Sequence, residues 1–408
     1  MDRVQKVRAQ SEAATATAAN MDDLRENATM NFLLERRPAV RCAAGAAGEL
    51  AAAVRDLAGE GAHVLLVVDP TVRRLGLAEE IERGLATMSG LDVFDDLASD
   101  PKEASVDAAL DLARSRGIDC VVGLGGGSAM DTAKVVAGLR HTEDGCAPWR
   151  LGRTPFPPRR TGLVCVPTTA GTGSEATGTS IISEADGTKN WMWGAQLVPD
   201  LAVLDPSLTV GLPAFWTFWT GMDALVHAAE SRTNRRRFGA NDGIAERAVA
   251  RVAANLPVAV NEPDNLDARA AMLLAATEAG MAIANTGCAV AHNLGHALGS
   301  LAGVPHGRAV GIAFRRSLGW TMPGCPDGFD AVARSMGATD RHGLADALDD
   351  LAARCGESFA LPTEARGVQT KTLATAMLEP ANVDIIRATA RDAGDDDVEA
   401  LAAVMLAA

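Results

Sequence analysis

The sequence predicts an α/β domain built on a parallel sheet, followed by a domain made only of helices. Short Val- and Leu-rich runs alternate with amphipathic segments as far as about residue 205, and this alternation is typical of a doubly wound α/β domain. Beyond Pro206 the apolar residues recur with a period near 3.6, and no strand-like run follows. The 408-residue chain is also too long for one ordinary hydrophobic core, which favours two domains.

Four apolar runs in the first half are typical of buried strands. Each is bounded by Gly, Pro or Asp, and few polar residues interrupt them, as expected for parallel strands covered on both faces. The runs are HVLLVVD (63–69), CVVGLG (120–125), GLVCVPT (162–168) and LAVLD (201–205). Residues 76–88 and 103–117, between the first two runs, have the apolar spacing of helices.

The domain boundary is predicted near residue 205, so that residues 31–205 form the α/β domain and residues 206–408 the helical domain. Residues 1–30 are expected to form a poorly ordered extension, because Ala, Ser, Thr and Asn dominate their first part. No long linker separates the halves, so they are expected to pack closely, and such seams often bind ligands. The clearest helical segments of the second half are residues 243–260, 268–285 and 343–356.

Composition excludes several classes of partner. The net charge of −14 argues against nucleic acid and against anionic membranes, since both attract basic surfaces. The sequence contains no run of about 18 apolar residues that would predict a membrane span. The N-terminus lacks the apolar core of a secretory signal. Seven scattered cysteines without a C-x-x-C pair suit a reducing compartment. We therefore expect a cytoplasmic protein without a nucleic-acid or membrane partner.

A glycine-rich loop follows the second predicted strand. In VVGLGGGSAMDTAK (121–134) three glycines and a serine lie between an apolar strand and a helix start. Glycines let backbone N–H groups approach a phosphate closely, and the helix N-terminus adds partial positive charge, so a pyrophosphate is the expected ligand. An ordinary strand–helix turn is the alternative interpretation. Asp131 in the first helical turn can simply stabilise the start of that helix.

Two further strand ends carry candidate cofactor residues. Asp69 ends the run at 63–69, where an acid can accept hydrogen bonds from an adenosine ribose and would repel a 2′-phosphate, which favours NAD over NADP. An Asp before Pro is also a common turn residue. The loop PTTAGTGSEAT (167–177) is dense in hydroxyls and glycines, and it can either hold the nicotinamide end or be an ordinary solvated loop.

Asp223 and His227, near the start of the second half, form a candidate metal site. They are four residues apart in TGMDALVHAAES (220–231), so a helix places both on one face. A carboxylate combined with imidazoles suits Fe(II) or Zn(II) better than Mg(II) or Ca(II), which prefer oxygen ligands. A surface or capping arrangement is the alternative for this pair taken alone.

Three more histidines lie in AHNLGHALGSLAGVPHG, where His292 and His296 are again one helical turn apart. In a continuous helix His306 would lie about 21 Å from His292, too far to share an ion whose ligand bonds are about 2.0–2.3 Å long. Gly303 and Pro305 are predicted to end the helix and let the chain turn back, so that His306 returns to the first pair. The spacing leaves open which histidines bind, since an i, i+4 pair can also chelate jointly.

Four motifs in this order and spacing resemble the iron-containing (group III) alcohol dehydrogenases. They are GGGSAMDTAK, PTTAGTGSE, DALVHAAE and AHNLGHALGSLAGVPHG, and the likeness extends from about residue 36 to residue 340. The resemblance implies a Rossmann-like N-terminal domain and an all-α C-terminal domain, the architecture of dehydroquinate synthase. It also implies NAD(H) and a divalent metal in the cleft between them, with Fe(II) expected and Zn(II) as the alternative.

The resemblance carries over to individual residues of this chain. The implied metal ligands are Asp223, His227, His292 and His306. His296 would then lie beside the metal as the catalytic residue, near the nicotinamide and the substrate. The implied cofactor residues are Asp69, Gly125, Gly126, Gly127, Ser128, Asp131, Thr168, Thr169, Ser174 and Lys189.

The implied activity is that of a reversible alcohol dehydrogenase working as an aldehyde reductase, with a homodimer or larger homo-oligomer expected. A hydride would pass between the nicotinamide and a small carbonyl substrate, and His296 would relay the proton. Three alternatives remain. They are a maleylacetate-reductase-type enzyme with fewer metal ligands, a dehydroquinate-synthase-like cyclase that recycles the hydride, and a non-enzymic protein that binds metal or NAD.

Departures from the family pattern concern the substrate. Arg235–Arg237 are three successive arginines, residues 308–320 replace a more apolar stretch, and the N-P-R-type motif near the C-terminus is missing. The arginines suggest an anionic substrate such as a semialdehyde or phosphonoacetaldehyde, or a subunit contact, with a solvated surface as the alternative. Candidate pocket residues are Trp149, Trp191, Trp193, Thr179 and Ile283, and core packing is the alternative for the tryptophans.

Overall fold

The α/β part contains one six-stranded sheet and one hairpin in this computed structural model, which describes residues 38–98 and 100–407. The hairpin strands are antiparallel, and all sheet strands are parallel. The sheet strands are β1 (Ala39–Cys42), β2 (His63–Val68), β3 (Gly90–Phe94), β4 (Cys120–Gly125), β5 (Gly162–Pro167) and β8 (Leu201–Leu204), and the hairpin strands are β6 (Thr179–Ser183) and β7 (Lys189–Trp193). The spatial order of the sheet is β1-β8-β5-β4-β2-β3.

The four apolar runs of the first half form β2, β4, β5 and β8, which confirms the strand prediction. Both faces of the sheet are covered. In β2, Leu65 and Val67 pack into one hydrophobic core, whereas Val64, Leu66 and Val68 pack into the core on the other face. This two-sided burial explains why the runs are continuously apolar instead of alternating.

The helices that connect successive strands along the chain cover the faces of the sheet. The segment predicted at 103–117 is helical almost throughout, whereas only the centre of the 76–88 segment is helical, because Gly76 has a φ of +75° and lies in a turn before it. The helices of this part are α1 (Leu50–Ala58), α2 (Pro70–Arg74), α3 (Glu79–Leu85), α4 (Glu103–Arg116) and α5 (Gly127–Leu139).

Strands β1, β3 and the hairpin β6–β7 were not predicted from the sequence. β1 is an exposed four-residue edge strand that contains Arg41, and β3 is interrupted by Asp92. The hairpin mixes Ser, Thr, Lys and Asn with its apolar residues. Such short or mixed segments lack the apolar signal that marks a buried strand.

The second half is helical, which confirms the predicted fold class, and the described residues after β8 contain no further strand. Among the described residues no single helix is long and apolar enough to cross a membrane; the helices Leu266–Thr286 and Val290–Ala302 reach that length and composition only as a pair bent by 104°. The predicted extension at residues 1–30 lies outside the described residues. The helices are α6 (Ala214–Thr233), α7 (Gly239–Asn261), α8 (Leu266–Thr286), α9 (Val290–Ala302), α10 (His306–Thr321), α11 (Pro326–Ser335), α12 (Leu344–Arg354), α13 (Thr370–Met377), α14 (Val383–Arg387) and α15 (Asp395–Leu406).

The strand order reverses between β2 and β4. From β2 the chain proceeds to β3 on one side, then returns to β4 and β5 on the other side. In open parallel sheets the crevice outside the carboxyl ends of strands at such a reversal is where ligands bind. Asp69 follows β2 and the glycine loop follows β4, so both candidate cofactor loops lie at this crevice.

The turn between α9 and α10 has the predicted form. α9 ends at Ala302, Gly303 follows with a left-handed φ of +65°, and α10 begins at His306 directly after Pro305. Gly303 accepts the left-handed conformation at little cost, and Pro305 precedes the first turn of the new helix. The chain therefore reverses between His296 and His306, as the two breakers predicted.

Two glycines allow the loop after β5 to pack directly on the helical part. Gly173 has a φ of +62°, and a Cβ placed on Gly280 of α8 would lie 2.3 Å from the Gly173 carbonyl oxygen. This contact involves backbone on both sides, so no side-chain rotation can relieve it. The loop and α8 are thus held at a distance that only glycine permits.

Gly280→Ala is expected to lower the free energy of unfolding by about 2 kcal/mol, because the added methyl group forces loop and helix apart. Gly243→Ala in α7 is the matched control: no atom lies within 4 Å of a Cβ there, and alanine should add up to about 1 kcal/mol of stability in an exposed helix. Urea unfolding with an unchanged m-value measures both. Equal effects of the two substitutions would contradict this account.

Candidate metal centre and dinucleotide crevice

Three helices bring a carboxylate and three imidazoles together. Asp223 and His227 lie on α6, His292 on α9 and His306 at the start of α10. One potential ligand atom from each residue lies within 4.8 Å of all the others. Asp223 Oδ1 is central, at 3.4 Å from His306 Nε2, 3.6 Å from His292 Nε2 and 3.9 Å from His227 Nδ1. The structure therefore groups the four residues that the resemblance implied as metal ligands.

The chemistry of these atoms fits a divalent cation. Asp223 Oδ1, His227 Nδ1 and His292 Nε2 are among the buried polar atoms of the described residues that have no hydrogen-bond partner. Leaving such groups unpaired costs about 1–3 kcal/mol each, more for a charged group. A cation between them would satisfy all three, and one oxygen with three nitrogens is a donor set suited to Fe(II) or Zn(II).

The charge states of the site also suit a cation. Burial alone would raise the pKa of the Asp223 carboxyl, but the His227 and His306 imidazoles hold it well below its usual range. Burial lowers the pKa of His227 to about 3. At neutral pH Asp223 is thus an ionised carboxylate and His227 a neutral imidazole, which are the forms that bind metals. Burial alone would lower the pKa of His292, but Cys288 and Glu230 hold it well above its usual range, so this ring releases a proton when a cation binds.

Glu230 supports this centre and was missed by the sequence analysis. Its Oε2 lies 2.6 Å from His292 Nδ1, and the carboxylate also accepts the backbone N–H groups of Ala289 and Ala291 at 2.8 and 2.6 Å. A carboxylate on the far nitrogen fixes the ring orientation of a metal-binding histidine and its tautomer. The spacing of Asp223, His227 and Glu230, four and then three residues, places all three on one helix face and was the available signal.

His296 lies beside the four-residue group and not within it. Its ring centroid is 5.1 Å from that of His306 and 6.1 Å from that of His292. Burial, reinforced by the His306 and His292 imidazoles, holds the pKa of His296 well below its usual range. Among the four grouped residues only His306 has a substantially exposed side chain, at 33%. The centre therefore opens to the outside on the side of His306.

The glycine loop at the end of β4 is packed too closely for side chains. Gly125 has a φ of +148°, and a Cβ there would lie 2.9 Å from both Asp69 Cβ and Ala129 Cβ. A Cβ on Gly127 would lie 3.0 Å from the Thr172 side chain. Helix α5 begins at Gly127, so its first backbone N–H groups, including that of Ser128, lie at the end of the glycine loop. Such an arrangement can bind a phosphate.

Asp131 and Ser174 belong to a buried network with Lys134. The Ser174 hydroxyl donates to Asp131 Oδ1 at 2.5 Å and accepts from Lys134 Nζ at 2.7 Å. Lys134 also donates to Thr177 Oγ1 and to the Thr179 carbonyl, at 3.1 and 2.6 Å. Burial raises the pKa of Asp131 and lowers that of Lys134. These residues join α5 to the loop after β5 and to the hairpin, so their side chains hold the loops in place.

Of the remaining candidate cofactor residues, Asp69, Thr168 and Thr169 lie against the glycine loop. Thr168 is buried and donates its backbone N–H to the Gly125 carbonyl at 3.0 Å. Thr169 Oγ1 lies 3.5 Å from a Cβ built on Gly126. Lys189 pairs with Asp100 at 2.8 Å, and Asp69 Oδ1 caps α2 by accepting from Thr71 N–H at 2.7 Å. Asp69 therefore has the turn role that the sequence offered as an alternative, and it also borders the glycine loop.

Most departures from the family pattern have structural partners. Arg235 pairs with Asp392, and Arg237 pairs with Asp242 and Asp327 at 3.2 and 2.6 Å. Arg316 of α10 donates to the carbonyls of Met405 and Ala407, and Arg391 lies over the Trp320 ring at 4.5 Å. Trp149 is buried against Phe156, which is the core-packing alternative, whereas Trp193 is 49% exposed. Two of the three arginines of the run thus pair with acids of the protein itself.

A carboxylate–histidine group that can hold a cation, beside a crevice suited to a dinucleotide, is the arrangement expected of a metal-dependent, nicotinamide-linked dehydrogenase. The chain belongs to the iron-containing alcohol dehydrogenase family: residues 38–206 match the family described as iron-containing alcohol dehydrogenase, and residues 217–405 match its C-terminal part. Members of this family use NAD(H) and a divalent metal. The protein is therefore an oxidoreductase, which excludes the non-enzymic alternative.

Named relatives agree with this assignment. The probable alcohol dehydrogenase EutG of Salmonella typhimurium is 33% identical over 356 residues, which are 86% of this chain and 88% of that protein. A sulfoacetaldehyde reductase of Bilophila wadsworthia is 32% identical over 308 residues, 75% of this chain and 79% of that protein. The crystal structure of the sulfoacetaldehyde reductase from Bifidobacterium kashiwanohense in complex with NAD+ covers 92% of this chain and 99% of its own, with 27% identity and a TM-score of 0.83.

Proposed function

We propose that the protein is an NAD(H)-dependent aldehyde reductase whose metal is held by Asp223, His227, His292 and His306. The observation that supports this most directly is the convergence of four ligand atoms within 4.8 Å. Three of those atoms are buried without a hydrogen-bond partner. Fe(II) is the proposed metal and Zn(II) the alternative, because both accept one carboxylate and three imidazoles. A homodimer or larger homo-oligomer is proposed as the assembly.

The protein's contribution to the reaction is to bind, to orient and to move a proton. When bound, the dinucleotide would supply the hydride and the cation would polarise the carbonyl group. Asp223 and the three imidazoles would fix the cation beside the crevice, and the glycine loop and Thr169 would hold the dinucleotide across from it. His296 lies next to the open side of the centre, with its ring 5.1 Å from that of His306, so it is positioned to relay a proton between solvent and the reacting groups.

The proposed substrate is a small carbonyl compound, with an anionic aldehyde as the specific candidate. Arg235 and Arg237 do not support an anionic substrate, since both pair with acids of the chain itself. Support comes instead from the likeness to sulfoacetaldehyde reductases, one of 32% identity and one with a solved structure. A neutral aldehyde such as propanal is the competing substrate.

The test combines metal analysis of anaerobically purified protein with NADH oxidation on propanal, succinic semialdehyde, phosphonoacetaldehyde and sulfoacetaldehyde. Iron bound in about equimolar amount and NADH oxidation by one of these aldehydes are expected. A clear preference for propanal would remove the anionic substrate while leaving the reductase. Full activity in the presence of a chelator would favour a maleylacetate-reductase-type enzyme, and turnover without net NADH change would favour a cyclase.

Asp69→Ser is expected to weaken the preference for NADH over NADPH by about fivefold. Serine keeps a capping acceptor for α2 but removes the negative charge, and one such charge at close range is worth about 1 kcal/mol in water. The ratio of kcat/KM for the two dinucleotides measures the effect. Asp186→Ser, at an exposed turn of the hairpin, is the control, and an equal change in both variants would contradict the role proposed for Asp69.

A further inference from the structure

A second group of metal-binding side chains lies on the far side of His292. A carboxylate oxygen of Glu230, the sulfur of Cys288 and a ring nitrogen of His292 all lie within 4.8 Å of one another. The nitrogen that faces Glu230 is Nδ1, at 2.6 Å, whereas Nε2 faces Asp223. The two groups thus use opposite nitrogens of one imidazole. Sulfur, nitrogen and oxygen together are a donor set for thiophilic divalent cations.

We propose that Glu230, Cys288 and His292 Nδ1 form a second, inhibitory site for a thiophilic divalent cation such as zinc(II). The cation would share the His292 ring with the catalytic metal, but it would bind at a site distinct from that of the catalytic metal. This goes beyond the dehydrogenase function, because a cation bound at this site regulates the centre and takes no part in hydride transfer.

Access and donor capacity support the site. Cys288 is partly exposed, while Glu230 and His292 are buried, so a cation can reach the sulfur from solvent and then meet two buried ligands. A carboxylate has about four acceptor positions, and three of those on Glu230 are engaged by Ala289 N–H, Ala291 N–H and His292 Nδ1. One position remains, and a second becomes free when Nδ1 gives up its proton.

Binding is balanced in charge and protons. The Cys288 thiol and His292 Nδ1 each release one proton to solvent, and the cation takes both places. The carboxylate, the thiolate and the deprotonated ring then surround the cation with negative charge, which outweighs the partial positive charge of the N-terminus of α9. No electron transfer or additional reactant is needed.

Occupation of the site should inhibit the enzyme. The hydrogen bond from Nδ1 to Glu230 orients the ring whose Nε2 faces the catalytic centre. A cation on Nδ1 replaces that bond and redirects the ring. Loss of such an outer contact typically lowers metal affinity or activity 10–100-fold, so inhibition of about that size is expected at saturation.

Cadmium(II) is the probe, added anaerobically to enzyme that carries its catalytic metal. One additional cadmium per chain, a cadmium–thiolate charge-transfer absorption and a retained catalytic metal are expected, with activity falling at least about tenfold. Cys288→Ser should show neither the absorption nor the additional cadmium ion. Its inhibition is expressed relative to the rate of the same variant without cadmium. Cys355→Ser is the matched control, because Cys355 is also partly exposed but belongs to neither metal-binding cluster found among the described residues.

Three outcomes would overturn the proposal. They are cadmium exchange into the catalytic centre without a thiolate absorption, an absorption that persists in Cys288→Ser, and loss of the absorption in Cys355→Ser instead. The absorption and the cadmium count do not require turnover. A protein that proved inactive on every aldehyde would therefore still report whether the second site exists.

Discussion

His306→Ala is expected to lose the metal and the aldehyde-reductase activity together. In the proposed site His306 would supply one of four ligand atoms, and its Nε2 lies 3.4 Å from the central oxygen of Asp223. Removing a direct ligand should lower metal affinity by more than the roughly 100-fold upper figure for outer contacts. The side chain is partly exposed, so its truncation leaves little buried void and the fold should persist. Metal content after anaerobic dialysis and NADH oxidation measure the two losses.

His296→Ala is the matched control for this prediction. Its ring lies only 5.1 Å from that of His306, yet it stands outside the four-residue group. The variant should keep its metal and turn over more slowly, because a proton relay typically contributes about 10²–10⁴-fold. A His296→Ala protein without metal, or a His306→Ala protein with one bound metal ion per chain, would show that the proposed ligand set is wrong.

Glu230→Gln is expected to lower metal affinity by about 10–100-fold without unfolding the protein. Glutamine has nearly the same size, but its amide carries one acceptor oxygen in place of two. It therefore cannot accept from His292 Nδ1 and from both the Ala289 and Ala291 N–H groups as Glu230 does. The His292 ring loses its fixed orientation, and Nε2 is presented less accurately to the cation. Competition with a chelator of known affinity measures the change.

Glu278→Gln is the matched control, because it also removes a carboxylate but should not lower the metal affinity. Glu278 lies on α8 and pairs with Arg247 and Arg251 at 3.1 and 3.0 Å, both partly exposed. Such exposed ion pairs are worth at most about 1 kcal/mol, so the metal affinity of this variant should stay unchanged. An unchanged affinity in Glu230→Gln as well would remove Glu230 from the support of the centre.

The sequence predicted the parts whose signal is local. Strands β2, β4, β5 and β8 were found because strands buried on both faces require unbroken apolar runs. The reversal between α9 and α10 was found because Gly303 permits a left-handed turn and Pro305 fixes its own φ, and neither property depends on the rest of the fold. The family resemblance then implied the ligand set that the structure brings together.

The contacts between elements far apart in the chain could not be predicted from local sequence patterns. Glu230 reaches His292 over 62 positions of the chain, and nothing near either residue marks the other as its partner. Lys134 and Ser174 are 40 positions apart, and their hydrogen bond exists only because α5 and the loop after β5 pack together. Asp131 and Ser174, proposed from the motifs as cofactor residues, have side chains that are engaged in that network.

The succession of an α/β half and a helical half, the four buried strands and the helix break before His306 were determined by the sequence by itself, because apolar periodicity and the backbone preferences of glycine and proline act over a few residues. Which side chains meet was decided only by the tertiary structure. The single carboxylate oxygen shared by three imidazoles, and the imidazole shared by Asp223 and Glu230, arise where three helices cross. Their positions depend on packing between residues far apart in the chain, which no local pattern encodes.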